Sequence, residues 1–421
     1  MKKLILSTLI AIIPALSLLA QSVAIYAKNG VTMFADPEQV GEMIVSGGQI
    51  NIGKYTFPVS DLDSLKYLDT GFNPQLVEIA YTANDSRINV PLNLLDSLEI
   101  SKDGAYITVT SHVLADPEIT YSLSGKTDNG NFLLVGDYKC GLILNNVDIT
   151  SQNGAAIRIK NGKRIDVIMP ENTINNLYDS FGGTQDACFH IKGHPEFKGG
   201  GTLNITGNSR HAFKSGEYTL LKQSTGKINI LSAESDAMHI GQYFQMRGGQ
   251  ITVSSKVKGD GIDVEKDSDM TKELNGMVFL DSGLVDINLA SDDVSGIKCD
   301  STFTCNGGQY NITVSGKASK GINVPYDAHI FAVYDTPRFN LTASGGYLVE
   351  IVGGKEDKKK SSCFKVDGNI YFHAGNITTD ASGDKARGLK VDGDYYYVPS
   401  KATLSPADYS NIGGAMRVMT E

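Results

Sequence analysis

The sequence has no tryptophan and few cysteines. It contains 0 Trp and 5 Cys in 421 residues. Because the flat platforms that stack on neutral or crystalline sugars generally use Trp, only Tyr and Phe are available for that role here. Five cysteines cannot all pair, and there is no CxxC or HExxH motif, so a structural zinc site is not expected. The cysteines are predicted to pack in the core, with a Cys299–Cys305 bridge as the alternative.

The chain is also short of positive charge. Its formal net charge is −9 and its sequence pI is about 5.3, which argues against nucleic acid as a partner. A charged start, Met1-Lys2-Lys3, precedes an apolar run, so residues 1–20 are predicted to be a secretory signal peptide. A membrane anchor is the weaker alternative because the run is short and no stop-transfer pattern follows. The protein is therefore expected to be exported to the periplasm, the cell surface or the medium, without a transmembrane segment after cleavage.

One four-residue pattern recurs through the chain: small, apolar, polar, apolar. We call each occurrence a tetrad. The tetrads begin at Ala156, Cys188, Ala212, Ala237, Gly261, Gly296, Gly321, Cys363 and Gly388. From Cys188 the successive steps are 24, 25, 24, 35, 25, 42 and 25 residues. A period near 25 with two long steps predicts a solenoid with two loop insertions, near residues 266–273 and 353–362.

Two further alternating strand patterns and glycine corners fall inside each period. Three strands and three corners per repeat predict an all-β protein, a right-handed parallel β-helix with three strands per coil and an irregular β cap at its N-terminal end. The small residue that opens each tetrad is expected where a corner leaves no room for a larger side chain. The predicted segments are 1–20 (signal peptide), 21–72 (small β segment), 73–140 (irregular β cap), 141–398 (parallel β-helix) and 399–421 (C-terminal tail).

The third residue of each tetrad is predicted to point to solvent. We call this row the tetrad ladder; its members are Arg158, His190, Lys214, His239, Asp263, Lys298, Asn323, Lys365 and Lys390. Neighbouring coils would bring these side chains about 4.8 Å apart. A mostly basic row in an acidic protein favours an anionic partner, bound above all by His190, Lys214, His239 and Lys298. The alternative is a solvated stripe whose charges are offset by nearby acids.

A second column of residues comes just before the tetrads. His211, Asp236 and Asp260 occupy it on successive coils, and Asp263 and Glu265 follow in the same coil as Asp260. Converging carboxylates offer the oxygen ligands that calcium prefers, so the four acidic residues are predicted to bind calcium. The alternative is that each Asp holds a corner by hydrogen bonding to nearby backbone N–H groups.

Three stretches resemble a known family. Residues 119–125 (ITYSLSG), residues 142–149 and Gly259-Asp260-Gly261-Ile262 resemble the exported carbohydrate-binding β-helix proteins of Bacteroidetes, which have a pectate-lyase-like fold. The resemblance covers roughly residues 100–395. It implies polysaccharide binding and calcium at the coil corners, held by Asp236, Asp260 and Glu265 with Asp263 beside them. Gly216-Glu217 and Gly241-Gln242 stand where the family tends to have an acidic pair.

The favoured function is therefore a secreted, non-catalytic polysaccharide-binding protein that prefers uronic-acid glycans and uses calcium. No catalytic residue is assigned. One alternative is a pectate-type lyase, in which calcium neutralises the uronate and Lys214 or Lys298 removes the C5 proton. The other is a surface adhesin or structural solenoid with a protein partner, for which apolar residues would be expected on the tetrad ladder.

Overall fold

The structure, a computed structural model, describes residues 21–326, 329–332 and 337–420, with only the backbone of 331–332. Strands dominate these residues and helix is almost absent, so the all-β prediction is confirmed. The predicted signal peptide, 1–20, lies outside the described residues. Within the described ranges, no helix has the length and apolar character needed to cross a membrane.

The first half of the chain contains short strands and three short helical segments. The helical segments are α1 (Pro37–Val40) and two 3-10 turns (Val59–Asp61 and Leu92–Leu94). The strands are β1 (Ser22–Ala27), β2 (Val31–Ala35), β3 (Ile44–Ser46), β4 (Gln49–Ile52), β5 (Tyr55–Pro58), β6 (Leu62–Leu68), β7 (Leu76–Ala83), β8 (Asp85–Pro91), β9 (Leu98–Asp103), β10 (Ala105–Ser111), β11 (Thr120–Thr127), β12 (Gly130–Val135), β13 (Cys140–Thr150), β14 (Ile157–Lys160), β15 (Arg164–Ile168), β16 (Ile174–Tyr178), β17 (Ala187–Ile191), β18 (His194–Lys198), β19 (Thr202–Gly207), β20 (His211–Ser215), β21 (Thr219–Leu221) and β22 (Lys227–Ala233).

The second half continues with strands alone. They are β23 (Met238–Ile240), β24 (Tyr243–Met246), β25 (Gln250–Val253), β26 (Ile262–Val264), β27 (Met277–Leu280), β28 (Leu284–Leu289), β29 (Ser295–Cys299), β30 (Phe303–Cys305), β31 (Gln309–Val314), β32 (Lys320–Val324), β33 (Ile330–Ala332), β34 (Arg338–Ala343), β35 (Tyr347–Val352), β36 (Lys355–Lys360), β37 (Ser362–Val366), β38 (Ile370–Phe372), β39 (Gly375–Asp380), β40 (Arg387–Val391), β41 (Tyr395–Tyr397), β42 (Ala402–Ser405) and β43 (Met416–Val418).

The chain forms two compact units. The first comprises the residues up to 74 together with 89–93, and the second comprises 75–88 and 94–421. In the first unit, β1 pairs antiparallel with β2 and β6, and β3, β4 and β5 form a small antiparallel sheet. The second unit contains every tetrad, so the candidate site belongs to it alone.

In the second unit the strands of one repeat pair with those of the next. From β17 to β31, each strand pairs in parallel with the strand three places later in the chain. Thus β17 pairs with β20, β18 with β21 and β19 with β22. The nine tetrad strands and three earlier strands make a sheet of twelve, in the order β40-β37-β32-β29-β26-β23-β20-β17-β14-β12-β10-β9. Only its last pair, β9 with β10, is antiparallel among these pairings.

The interior of the second unit is made by the apolar residues that alternate along these strands. Phe189 and Phe213, on adjacent tetrad strands, pack edge to face with ring centroids 5.6 Å apart. All five cysteines are buried and free, so the predicted packing role is confirmed and the alternative Cys299–Cys305 bridge is not formed. The repeat thus buries its own apolar faces by stacking on its neighbours.

Three glycines that open tetrads, Gly261, Gly296 and Gly321, lie against the next tetrad strand. A Cβ atom added to Gly296 would lie 2.5 Å from the carbonyl oxygen of Gly321, and one added to Gly321 would lie 2.5 Å from that of Cys363. Real Cβ atoms do not approach a carbonyl oxygen so closely. The lack of room inferred from the sequence is therefore present at these corners.

The two long steps of the period are insertions. The longer holds an antiparallel hairpin, β35–β36, between β32 and β37, which still pair directly. The shorter, after Val264, contains a turn in which Asn275 Oδ1 accepts a hydrogen bond from the Asp267 N–H. In the predicted C-terminal tail, β42 and β43 extend the parallel pairing of β39 and β41.

Candidate functional site

The tetrad ladder is a real row of side chains. Its nine members are paired in register on consecutive parallel strands, in the order Arg158, His190, Lys214, His239, Asp263, Lys298, Asn323, Lys365 and Lys390. The four residues predicted to bind substrate, His190, Lys214, His239 and Lys298, therefore lie in one row. Parallel pairing fixes this alignment because a slip of one residue would turn the apolar partners of the tetrad outward.

The prediction that the whole ladder points to solvent is wrong for Asp263. Its side chain is buried, with the residue only 4% exposed. The reason is its neighbours, since one carboxylate oxygen lies 3.0 Å from Lys298 Nζ and the other 3.4 Å from His239 Nδ1. Arg158 is exposed and the remaining members are half-buried.

The positive charges of the ladder are mostly compensated toward its C-terminal end. Lys298 pairs with Asp263, Lys365 with Asp367 at 2.7 Å and Lys390 with Asp392. At this end, the ladder therefore corresponds to the alternative interpretation of the sequence, in which nearby acids offset the charges of a solvated row.

The N-terminal end of the ladder is different. Arg158 and His190 form no ion pair with any residue in the described ranges, and Arg210 and Lys214 share one acid, Asp186, at 3.2 and 3.9 Å. Burial, with the Arg158 charge beside it, lowers the pKa of His190 to about 4, so this ring is neutral at pH 7. Positive charge is therefore in excess at this end of the ladder only. We call Arg158, His190, Lys214 and Arg210 the basic end.

Next to the basic end lies a compact group of histidines and acids, which we call the His–Asp cluster. Asp236 Oδ2 lies 3.1 Å from His211 Nδ1 and 3.3 Å from His239 Nδ1. The two imidazole rings are stacked, with centroids 4.5 Å apart and planes at 23°. His239 also faces Asp263 Oδ2 at 3.4 Å and Glu265 Oε2 at 3.6 Å. Residues predicted for two different roles, sugar binding and metal binding, therefore form a single cluster.

Backbone hydrogen bonds position the acids of this cluster. The Asp236 N–H donates to His211 Nδ1 at 3.3 Å, the Asp260 N–H to Asp236 Oδ1 at 2.9 Å, and the Ser295 N–H to Asp260 Oδ1 at 2.6 Å. Each of these side chains thus accepts a hydrogen bond from a backbone N–H at the corresponding corner of the next repeat. The corner role that the sequence left open for these Asp residues is present in the structure.

The cluster shifts the pKa values of its members in opposite directions. Burial opposes ionisation of Asp236, but its contacts with the imidazoles of His211 and His239 outweigh burial and hold its pKa well below the usual range. Burial also disfavours the charged form of His239, yet the carboxylates of Asp236 and Asp263 raise its pKa to about 9. Burial and the nearby Asp263 charge raise the pKa of Asp260 to about 7. The protonation state of each residue in the cluster therefore depends on the charges of the other members.

The structure gathers the four predicted calcium ligands, but with a donor set that does not suit calcium. The four are Asp236, Asp260, Asp263 and Glu265. Calcium takes six to eight oxygen ligands. Here the middle of the group holds the imidazole of His239, and the Lys298 ammonium lies on Asp263. Two triads have ligand atoms within 4.8 Å of one another, His211–Asp236–His239 and His239–Asp263–Glu265, and each contains imidazole nitrogen.

Two aromatic features were not foreseen. His194, Tyr218 and Tyr243 stack on successive repeats, with centroids 4.6 and 4.7 Å apart, and their spacing of 24 and 25 residues could have shown this row. Phe181 is 80% exposed in the loop that leads to Asp186 and β17. It lies outside the repeated strands, so periodicity gave no signal for it.

The chain is similar to a known protein family and to a solved structure. The family described as "Carbohydrate-binding domain-containing protein" matches residues 103–395. No curated protein matches the chain. A solved structure of a polysaccharide lyase-like protein from C. thermocellum, a gadolinium derivative, is similar with a TM-score of 0.47 and 19% identity, over 61% of this chain and 99% of that one. The match over residues 103–395 shows that this chain belongs to the family of carbohydrate-binding domain-containing proteins.

Proposed function

We propose that the protein binds acidic polysaccharide without cleaving it and that the basic end of the tetrad ladder is the contact surface. The observation that carries the proposal is the local excess of positive charge. Arg210 and Lys214 share the single carboxylate of Asp186, and Arg158 forms no ion pair with any described residue. Membership of the carbohydrate-binding family supports a glycan as the ligand. An uncompensated cationic row on an otherwise acidic protein selects for negative charge in that glycan.

The geometry of the basic end suits a chain of uronates. Adjacent strands set the ladder side chains about 4.8 Å apart, so Arg158 and Lys214 flank His190 along one line. Arg158 offers a planar fork that binds a carboxylate through two parallel hydrogen bonds. Neutral His190 offers one donor and one acceptor to hydroxyls. Phe181, on the loop that ends at Asp186, exposes a ring on which a sugar can stack.

The finer predictions about this protein belong to the same proposal. The stacked repeats are proposed to wind as a right-handed parallel β-helix with three strands per coil. The protein is proposed to act outside the cell after export, in a bacterium of the Bacteroidetes. Calcium dependence also stays a prediction, and the binding assay below measures it directly.

The test is affinity electrophoresis through polygalacturonate and, in parallel, through a neutral polysaccharide. We expect Arg158→Ser/Lys214→Ser to weaken retention by polygalacturonate at least about tenfold, since two charge-assisted contacts are lost. The matched control is Lys365→Ser/Lys390→Ser, which removes two ladder lysines that already have their own acids. Equal losses in both variants, or none in the first, would exclude the basic end. Each gel is run with calcium and with a chelator, and unchanged retention in chelator would remove calcium from the proposal.

The structure argues against Lys298 as the base of the lyase alternative. A lysine that removes a proton needs a lowered pKa. Burial would lower the pKa of Lys298, but the attraction of Asp263 outweighs burial and raises it instead. Binding without cleavage would give no unsaturated product when polygalacturonate is incubated with the protein and calcium. Its appearance, followed by ultraviolet absorbance and lost in Lys214→Ser, would replace the binding proposal with catalysis.

A further inference from the structure

The first feature of the His–Asp cluster that bears on a ligand is the environment of its most buried ring. His211 is almost fully buried, and its Nε2 has no hydrogen-bond partner among the described residues. Burying a polar nitrogen without a partner is unfavourable by about 1–3 kcal/mol. The corner hydrogen bond that Nδ1 accepts from the Asp236 N–H holds the ring with this nitrogen toward Asp236. Because Nε2 points away from Asp236, a ligand of the cluster would contact Nδ1.

The second feature is the spacing of the ligand atoms. One ring nitrogen of His211, one of His239 and one carboxylate oxygen of Asp236 lie within 4.8 Å of one another. Asp236 Oδ2 is 3.1 and 3.3 Å from the two Nδ1 atoms. In a tetrahedral zinc site with bonds of about 2.0–2.1 Å, neighbouring ligand atoms lie about 3.4 Å apart. The triad is thus close to the separation that a bound ion would impose.

We propose that His211, Asp236 and His239 form a binding site for a divalent transition-metal ion of the zinc type. Imidazole and carboxylate together suit zinc and its neighbours in the first transition row, whereas calcium prefers oxygen alone. The site uses no cysteine, so the missing cysteine motifs in the sequence do not bear on it. Three protein ligands leave a fourth position for water or a ligand group.

The surroundings of the triad resemble those of a metal site. Asp236 Oδ1 accepts the backbone N–H of Asp260 at 2.9 Å, which orients the carboxylate as outer hydrogen bonds orient metal ligands. Asp263 Oδ2 lies 3.4 Å from the same Nδ1 of His239, and Glu265 Oε2 lies 3.6 Å from its Nε2. Both carboxylates add negative charge that a divalent ion would balance. The ion would displace the 3.3 Å hydrogen bond from the Asp236 N–H to His211 Nδ1. It would also tie β20 to β23, since the three ligands come from two neighbouring repeats.

The experiment is a zinc titration of the whole protein, purified without a histidine tag and stripped with a chelator. We expect one zinc per chain by calorimetry, bound at least about tenfold more tightly than calcium. His239→Asn and His211→Asn should each weaken zinc binding at least about tenfold. The matched control is His194→Asn, because His194 also lies against a carboxylate, Glu217 at 2.6 Å, but in a pair rather than a triad. It should bind zinc as the unsubstituted protein does.

A second measurement covers the case in which the buried His211 variant does not fold. Zinc added to the unsubstituted protein with nitrogen-15-labelled histidine should shift the ring signals of two of its seven histidines. Absence of zinc binding, tighter binding of calcium, or unchanged affinity in His239→Asn would overturn the site. No glycan enters this titration, so its result is independent of the polysaccharide proposal.

Discussion

His190 and His239 occupy the same position of the repeat, two strands apart in one ladder, yet their pKa values move in opposite directions. Burial and Arg158 lower that of His190 to about 4, whereas the carboxylates of Asp236 and Asp263 overcome burial and raise that of His239 to about 9. Both rings stand at the same position of the repeat on the backbone. Their pKa values differ because the charges of the side chains around them differ.

His190 makes a prediction about stability and pH. Its folded pKa lies below the unfolded value of about 6.5, so the unfolded chain binds the additional proton between these values. The contribution of neutral His190 is thus complete above pH 6.5 and falls as the pH drops toward 4. We expect the unfolding free energy of the unsubstituted protein, relative to that of His190→Gln, to fall by on the order of 2 kcal/mol from pH 7 to pH 4.5.

Denaturant titrations at a series of pH values measure this difference. The same His190→Gln comparison at pH 7 and pH 8 serves as the control, because both states are neutral there and the difference should not change. A difference that is flat across the acidic range would mean that His190 is not held neutral by its surroundings.

The sequence could predict which residues form the tetrad ladder but not the environment of each residue. The tetrad period gives the row because register follows from alternation along parallel strands. It does not give which acid reaches which cation, because that depends on side-chain rotamers and on corners from neighbouring repeats. Asp263 is the clearest case, since the same third position that exposes Arg158 buries Asp263 between His239 and Lys298.

At the scale of the element, some tetrads begin at a glycine for which the neighbouring backbone leaves little room. Gly321 is the second residue of β32, and a Cβ added to it would lie 2.5 Å from the carbonyl oxygen of Cys363 in β37. Relief would require the two paired strands to separate. The insertion between them does not loosen this contact, because the hairpin β35–β36 leaves the β32–β37 pairing intact.

Gly321→Ala is expected to destabilise the protein by about 1–3 kcal/mol, as overpacking of a filled interior does. The matched control is Gly162→Ala, a corner where an added Cβ meets nothing within 4 Å. That change should be neutral or stabilise by up to about 1 kcal/mol, through the less flexible unfolded chain. Chemical denaturation measures both. Similar effects at the two positions would mean that the small residue serves backbone freedom rather than close packing.

The element bounds show where sequence patterns lose their predictive power. The two long steps correctly marked insertions, because a break in the period is visible in the spacing alone. The strands β42 and β43 have no comparable signal, since residues 399–421 contain no tetrad and their pairing with β39 and β41 depends on backbone hydrogen bonds. Backbone pairing needs no particular side chain, so an aperiodic segment can extend a sheet without any signal in its sequence.

At the scale of the molecule, the second unit is built from repeats that pair with their immediate neighbours. Each tetrad strand pairs only with the one before and the one after it in the sheet order. In arrays of this kind, stability is close to a sum of repeat and nearest-neighbour contributions, and local opening is not obliged to spread. The basic end and the corner at Gly321 lie several repeats apart in this order.

Native-state hydrogen exchange of Gly321→Ala tests whether the unit behaves in this way. We expect faster exchange in β29, β32 and β37, whose backbones contact the strained corner, and unchanged protection in β14, β17 and β20 at the basic end. Gly162→Ala provides the reference pattern. If protection fell equally in all of these strands, the repeats would open as one cooperative unit, and a change at one corner would then reach the glycan surface. Local loss alone would mean that the basic end keeps its geometry while a distant repeat opens.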